Sequence, residues 1–93
     1  MCRNIRILHN FKPPTTPDEI QAAALQYVRK VSGMREPGKE SSVAFEKAVE
    51  QITAITAKLL TKLPAAGEPR TRDGEKAKAK VRWERREAAI KRL

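Results

Sequence analysis

Ser41–Leu63 reads SSVAFEKAVEQITAITAKLLTKL, the longest unbroken amphipathic run in the chain. Phe45, Val49, Ile52, Thr56, Leu59 and Leu63 follow one another in steps of four, three, four, three and four, which places them on one stripe of an α-helix. Ala48, Ile55 and Leu60 widen the stripe, and Glu46, Lys47, Glu50, Lys58 and Lys62 fall largely outside it. Pro64 stops the helix, because it has no N–H to give and its ring clashes with the preceding turn. Such a stripe faces a partner helix, so Ile52 and Leu59 are expected to be core residues.

The partner lies just upstream. Thr16-Pro17-Asp18-Glu19 sets a hydroxyl at the N-cap, proline at the first helical position and an acid able to reach back to the cap amide. Ile20, Ala24, Tyr27, Val28 and Val31 then recur at helical spacing. Gly33 offers the left-handed residue that ends many helices, with Arg29 and Lys30 suited to the negative end of the dipole. The connector MREPGKE is short, with Pro37-Gly38 as its turn and Ser41 or Ser42 as the next N-cap. A short connector favours two antiparallel helices with facing apolar stripes.

Two helices make a thin core, so something must cover it: the N-terminal segment, the C-terminal helix or a second copy of the chain. Before the stiff Pro13-Pro14 connector, Ile5 and Ile7 alternate as in a strand, whereas Ile5, Leu8 and Phe11 step by three as on a short helix. The pattern allows strand, helix or extended chain. In each case Ile5, Ile7, Leu8 and Phe11 are too apolar for a free tail and are expected to dock on the helices.

Beyond Pro64 the composition changes to PAAGEPRTRDG, which reads as a linker, and then to the helix formers of EKAKAKVRWERREAAIKRL. Asp73 is the expected N-cap region. Ala79, Trp83, Ile90 and Leu93 share one narrow face with Arg86. From Arg70 onward ten basic residues stand against the five acids at and after Glu68, a net of +5 of the chain's +9. The expected organisation is therefore a helical domain over 1–63, a linker over 64–74 and a basic helical tail over 75–93, in the all-α class.

The opening Met1-Cys2-Arg3-Asn4-Ile5, the Pro13-Pro14-Thr15-Thr16 connector, the run Ala22-Ala23-Ala24-Leu25-Gln26-Tyr27-Val28-Arg29-Lys30-Val31-Ser32-Gly33 and Ala44-Phe45 together resemble a small, mainly bacterial family, domain of unknown function 2277. The resemblance covers roughly residues 1–63. It implies no activity, cofactor or site residue.

Chemistry is sparse. Cys2 and His9 are the only Cys and His, too few for a four-ligand zinc site in one chain or for a disulfide framework. Asp18 and Glu19 are accounted for by a helix N-terminus. There is no phosphate loop, dinucleotide fingerprint or apolar run long enough to span a membrane. A soluble, cytoplasmic, non-enzymatic protein without metal or cofactor is expected. Lys76, Lys78, Lys80, Arg82, Arg85 and Arg86 have the charge to track phosphates, with Trp83 stacking on a base or packing on protein. The expected function is an accessory or regulatory protein binding nucleic acid or nucleoprotein through those seven residues. The alternative is a protein–protein adaptor, self-associating, in which the exposed part of the core stripe meets a partner and the charge only keeps the chain in solution; the structural reading of the tail is a solvated helix whose Trp83, Ile90 and Leu93 stripe covers the thin core.

Overall fold

The computed structural model describes residues 4–91 and contains three helices: α1 over Pro17–Ser32, α2 over Ser42–Lys62 and α3 over Arg72–Lys91. The described residues form no strand, and the protein is all-α.

The start of α1 follows from its four-residue signal. The Glu19 amide donates to Thr16 Oγ1 at 3.3 Å, the Thr16 amide donates to Glu19 Oε1 at 2.9 Å, and Pro17 opens the helix. Two amides that a bare helix end would leave unpaired are thereby satisfied together. Thr16→Ala is accordingly expected to lose ~0.5–2 kcal/mol of stability. Urea denaturation measures the loss, and shifted amide resonances at residues 18–20 locate it. At the other end Gly33 adopts φ 71° and its amide donates to Arg29 O at 3.0 Å. Helix α2 begins after Ser41, whose backbone carbonyl accepts from Phe45 N–H while its side chain caps nothing. It ends where Leu63 turns extended ahead of Pro64.

Helices α1 and α2 pack together around Ala24, Val28, Phe45 and Val49, with Leu25, Ala48 and Ile52 packed partly buried against them. Leu8, Phe11 and Ile20 are buried outside that cluster. Leu8 and Phe11 belong to the N-terminal segment, which docks through them, while Ile5 and Ile7 face solvent. The segment is neither strand nor helix. It bends along the hairpin, held by Asn4 N–H to Gln26 Oε1 at 2.8 Å, the Thr15 hydroxyl to Leu8 O, and His9 Nε2 within 3.3 Å of Leu63 O. Asn10, with φ 61°, turns the chain so that its side-chain amide donates to Ala66 O at 3.3 Å.

The expected core extends less far than the sequence stripe. Ile52 is half-buried, but Leu59 is 54% exposed, and Leu63 and Val31 are exposed too. At 1.5 Å per residue the 21 residues of α2 outreach the 16 of α1 by roughly 7 Å, so the last turns of α2 have no helix opposite them. No helix lies over the hairpin as a second layer. The molecule measures 49 × 38 × 16 Å, its radius of gyration is 16.4 Å where a compact chain of this length would have about 12 Å, and no side chain among the described residues is completely enclosed.

Candidate nucleic-acid interface

The basic helix is rooted firmly and then left in solvent. Thr71 caps α3, its hydroxyl accepting from Gly74 N–H at 2.9 Å and its carbonyl from Glu75 N–H at 3.0 Å. A Cβ on Gly74 would come within 2.8 Å of that hydroxyl, so glycine suits the position. Asp73 and Glu75 place negative charge in the first turn, as the dipole favours. The sequence signal at Asp73 thus lies two residues inside the true cap.

Arg70 and Arg72 fasten this start to the N-terminal segment. Phe11 and Arg70 form a parallel β-bridge, with Lys12 N–H donating to Arg70 O at 2.9 Å and Arg70 N–H to Asn10 O at 2.7 Å. The Arg70 guanidinium donates to His9 O at 2.8 Å. Arg72 uses its whole donor fork: Nε and Nη2 go to the two Glu19 oxygens at 3.1 and 2.6 Å, Nη1 to Pro13 O at 2.9 Å and Nη2 also to Pro14 O at 3.1 Å. Its charged carbon lies 5.6 Å from the Phe11 ring centroid, within cation–π range.

Glu19 therefore works twice. The carboxylate that closes the α1 capping box also accepts from Arg72 and from Arg6, the latter at 3.0 Å. The Arg72 hydrogen bonds, then the Thr16 amide, and lastly Arg6, hold its carboxyl well below the usual carboxylate range, against the opposing effect of burial. Glu19 in turn pushes the Arg72 guanidinium up. The stretch expected as a linker is thus tied down at its last residues, and α3 starts at Arg72, ahead of the tail expected from residue 75.

Past the clamp, α3 packs on neither other helix and every residue from Lys76 to Lys91 is exposed. Trp83 and Ile90 cover no part of the hairpin. Trp83 is 51% exposed, and its indole N–H donates to Glu87 Oε1 at 2.7 Å, one turn along the same helix. Leu93, Arg92 and Cys2 lie outside the described residues.

The seven candidate residues divide between two faces. At ~100° per residue Lys78, Arg82, Arg85 and Arg86 fall within an arc of ~100°, a continuous basic stripe. Lys76, Lys80 and Trp83 lie on the adjoining face, together with Ile90, which is only ~40° from Arg86. The one ion pair reaching the stripe among the described residues is Lys78 Nζ to Glu75 Oε1 at 3.9 Å, with the lysine 67% exposed, a contact too long and too wet to neutralise it. Arg82, Arg85 and Arg86 are free of carboxylate partners among the described residues. No group of three or more His, Cys, Asp or Glu side chains comes together among those residues, and no described helix is long and apolar enough to cross a membrane.

The root of α3 also bears on kinship. A family model described as an uncharacterised conserved protein, DUF2277, matches residues 1–78. The chain belongs to the DUF2277 family. The DUF2277 match takes in Arg70, the Thr71 cap, Arg72 and the first turns of α3, and so runs past the roughly 1–63 covered by the sequence resemblance. Lys76 and Lys78 fall within it, whereas Lys80, Arg82, Trp83, Arg85 and Arg86 lie beyond its end. No curated protein and no solved structure matches the chain.

Proposed function

We propose that this DUF2277 member is a non-enzymatic accessory or regulatory protein of the cytoplasm that binds nucleic acid or nucleoprotein through α3, without reading sequence. The observation that supports this most is the solvated stripe of Lys78, Arg82, Arg85 and Arg86 on a helix held away from the hairpin at one end. A phosphate backbone offers such a stripe a row of negative charges, and displacement of its counterions supplies the free energy. Arginine and lysine on phosphates position a protein without distinguishing bases, so the affinity is weak, tolerant of sequence and steeply dependent on salt.

Titration of labelled single- and double-stranded DNA and RNA at low and at ~150 mM salt tests the reading. Four phosphate contacts give a log–log salt slope on duplex DNA of about −3.6. Changing Lys78, Arg82, Arg85 and Arg86 together to glutamine is expected to abolish most of that slope. Trp83→Ala costs a further ~1–3 kcal/mol on single strands if the indole stacks on a base. Absence of binding at low salt contradicts the proposal.

A second reading, a protein–protein adaptor, draws on α2, where Leu59 and its neighbour Ile55, 68% exposed, present apolar surface to water. A complex held there survives salt, because apolar burial is not screened.

A further inference from the structure

A second use of α3 follows from what the hairpin lacks. Between α1 and α2 runs an open groove of about 580 Å³ whose apolar lining includes Leu25, Phe45 and Val49. Glu46 and Glu50 stand along it, one turn apart on α2, exposed and without an ion pair among the described residues. The groove is open to solvent and its α2 edge is acidic.

The face of α3 adjoining the basic stripe is apolar and mainly basic, its one acid, Glu87, being engaged by the Trp83 indole. Trp83 and Ile90 supply exposed apolar surface, and Lys76 and Lys80, one turn apart, match the ~6 Å axial spacing of Glu46 and Glu50. A 20-residue helix without a packing partner is marginally stable in water, so it gains from being covered. Its own hairpin is poorly placed to cover it. The Arg72 clamp fixes the root of α3 at Glu19, and Gln21 and Leu25, which line the groove, lie ~120–160° around α1 from that side.

We infer that α3 of one copy docks by its Trp83 face into the α1–α2 groove of a second copy, with Lys76 and Lys80 against Glu46 and Glu50, and reciprocally. The occupant is this helix because it joins an apolar face to the charge the groove wants, and the exchange needs no new fold. Lys78, Arg82 and Arg85 stay outside the contact, and Arg86, one turn from both Trp83 and Ile90, lies at its edge. The inference therefore stands whether or not that stripe binds nucleic acid.

Sedimentation of the nuclease-treated full chain over a range of concentrations provides the test, alongside the emission of Trp83, the only tryptophan. The wild type is expected to be dimeric, its emission shifting to shorter wavelength as it associates. Glu46→Lys with Glu50→Lys in one variant, and Lys76→Glu with Lys80→Glu in another, are each expected to weaken self-association by ~10-fold or more, since like charges then meet across both contacts. Mixing the two restores a heterodimer, in which each groove meets an α3 of opposite charge. All four positions are exposed, and circular dichroism verifies that each variant keeps its helices. A monomeric wild type, a monomer whose Trp83 emission is already blue-shifted at every concentration, or two reversed variants that fail to pair on mixing each overturns the inference.

Discussion

Phe45→Ala is expected to lose ~3–5 kcal/mol, the range for truncating a buried phenylalanine. A domain of this length is stable by roughly 5–14 kcal/mol in total, so the variant sits at or near the folding limit. Phe45 is the largest side chain of the α1–α2 cluster, and that cluster has few members. No second helical layer compensates for the cavity. Urea denaturation followed by helical circular dichroism, at concentrations low enough to keep the chain monomeric, measures the loss. Leu59→Ala is the control. It belongs to the same sequence stripe but is more than half exposed, and is expected to cost less than ~1 kcal/mol. Equal losses at the two positions would mean that α2 is buried along its whole length.

Arg72→Ala has the second large effect, on the root of α3 rather than on the hairpin. One guanidinium there joins Glu19, two proline carbonyls and the Phe11 ring, so its removal leaves the Phe11–Arg70 bridge held only by the Arg70–His9 and Asn10–Ala66 contacts beside it. The amides of Lys12 and Arg70, which donate across that bridge, are expected to exchange at least ~10-fold faster in the variant. Amides in the middle of α1 serve as the internal reference. The same clamp weakens in acid. Because the folded Glu19 carboxyl titrates below its ordinary value of 4.5, its contribution is fully present above that pH and is lost as the pH falls through the range below it. Glu19→Gln removes this acid dependence and, with it, part of the α1 cap. Unchanged exchange at Lys12 and Arg70 in Arg72→Ala would show that the bridge holds without the arginine.

Local signals in the sequence were accurate where the physics is local. The Thr16 cap, the Gly33 terminus and the break at Pro64 each depend on a few neighbouring residues, and each stands where the pattern places it. The stripe of α2 shows which residues are available for burial, but burial also needs something opposite, and that depends on the relative lengths of two helices. Leu59 and Leu63 stay exposed beyond the reach of α1, while Thr56 and Leu60, turned to another side of the same stretch, are half-buried. The docking of Leu8 and Phe11 was readable from apolarity, while the shape of their segment was not, because it is set by contacts to Gln26, Leu63 and Ala66 far along the chain.

The clamp was the least legible feature. Arg70 and Arg72 lie in a stretch rich in proline, glycine and charge, where composition alone suggests a linker, and their partners are some sixty residues away. Thr71 followed three residues later by Gly74 hid the start of α3 from a search for a capping box. The seven basic and aromatic candidates were identified by charge. A helical wheel divides them into two faces, and their exposure follows from α3 packing on neither other helix.

The most direct measurement of the central claim is a residue-resolved NMR titration of the full chain with a short DNA duplex at low salt, repeated at ~150 mM salt. The account predicts amide shifts concentrated at Lys78, Arg82, Arg85 and Arg86 that diminish as salt rises, with Ala24, Val28 and Val49 unmoved. Shifts confined to the hairpin, or none at low salt, would contradict it.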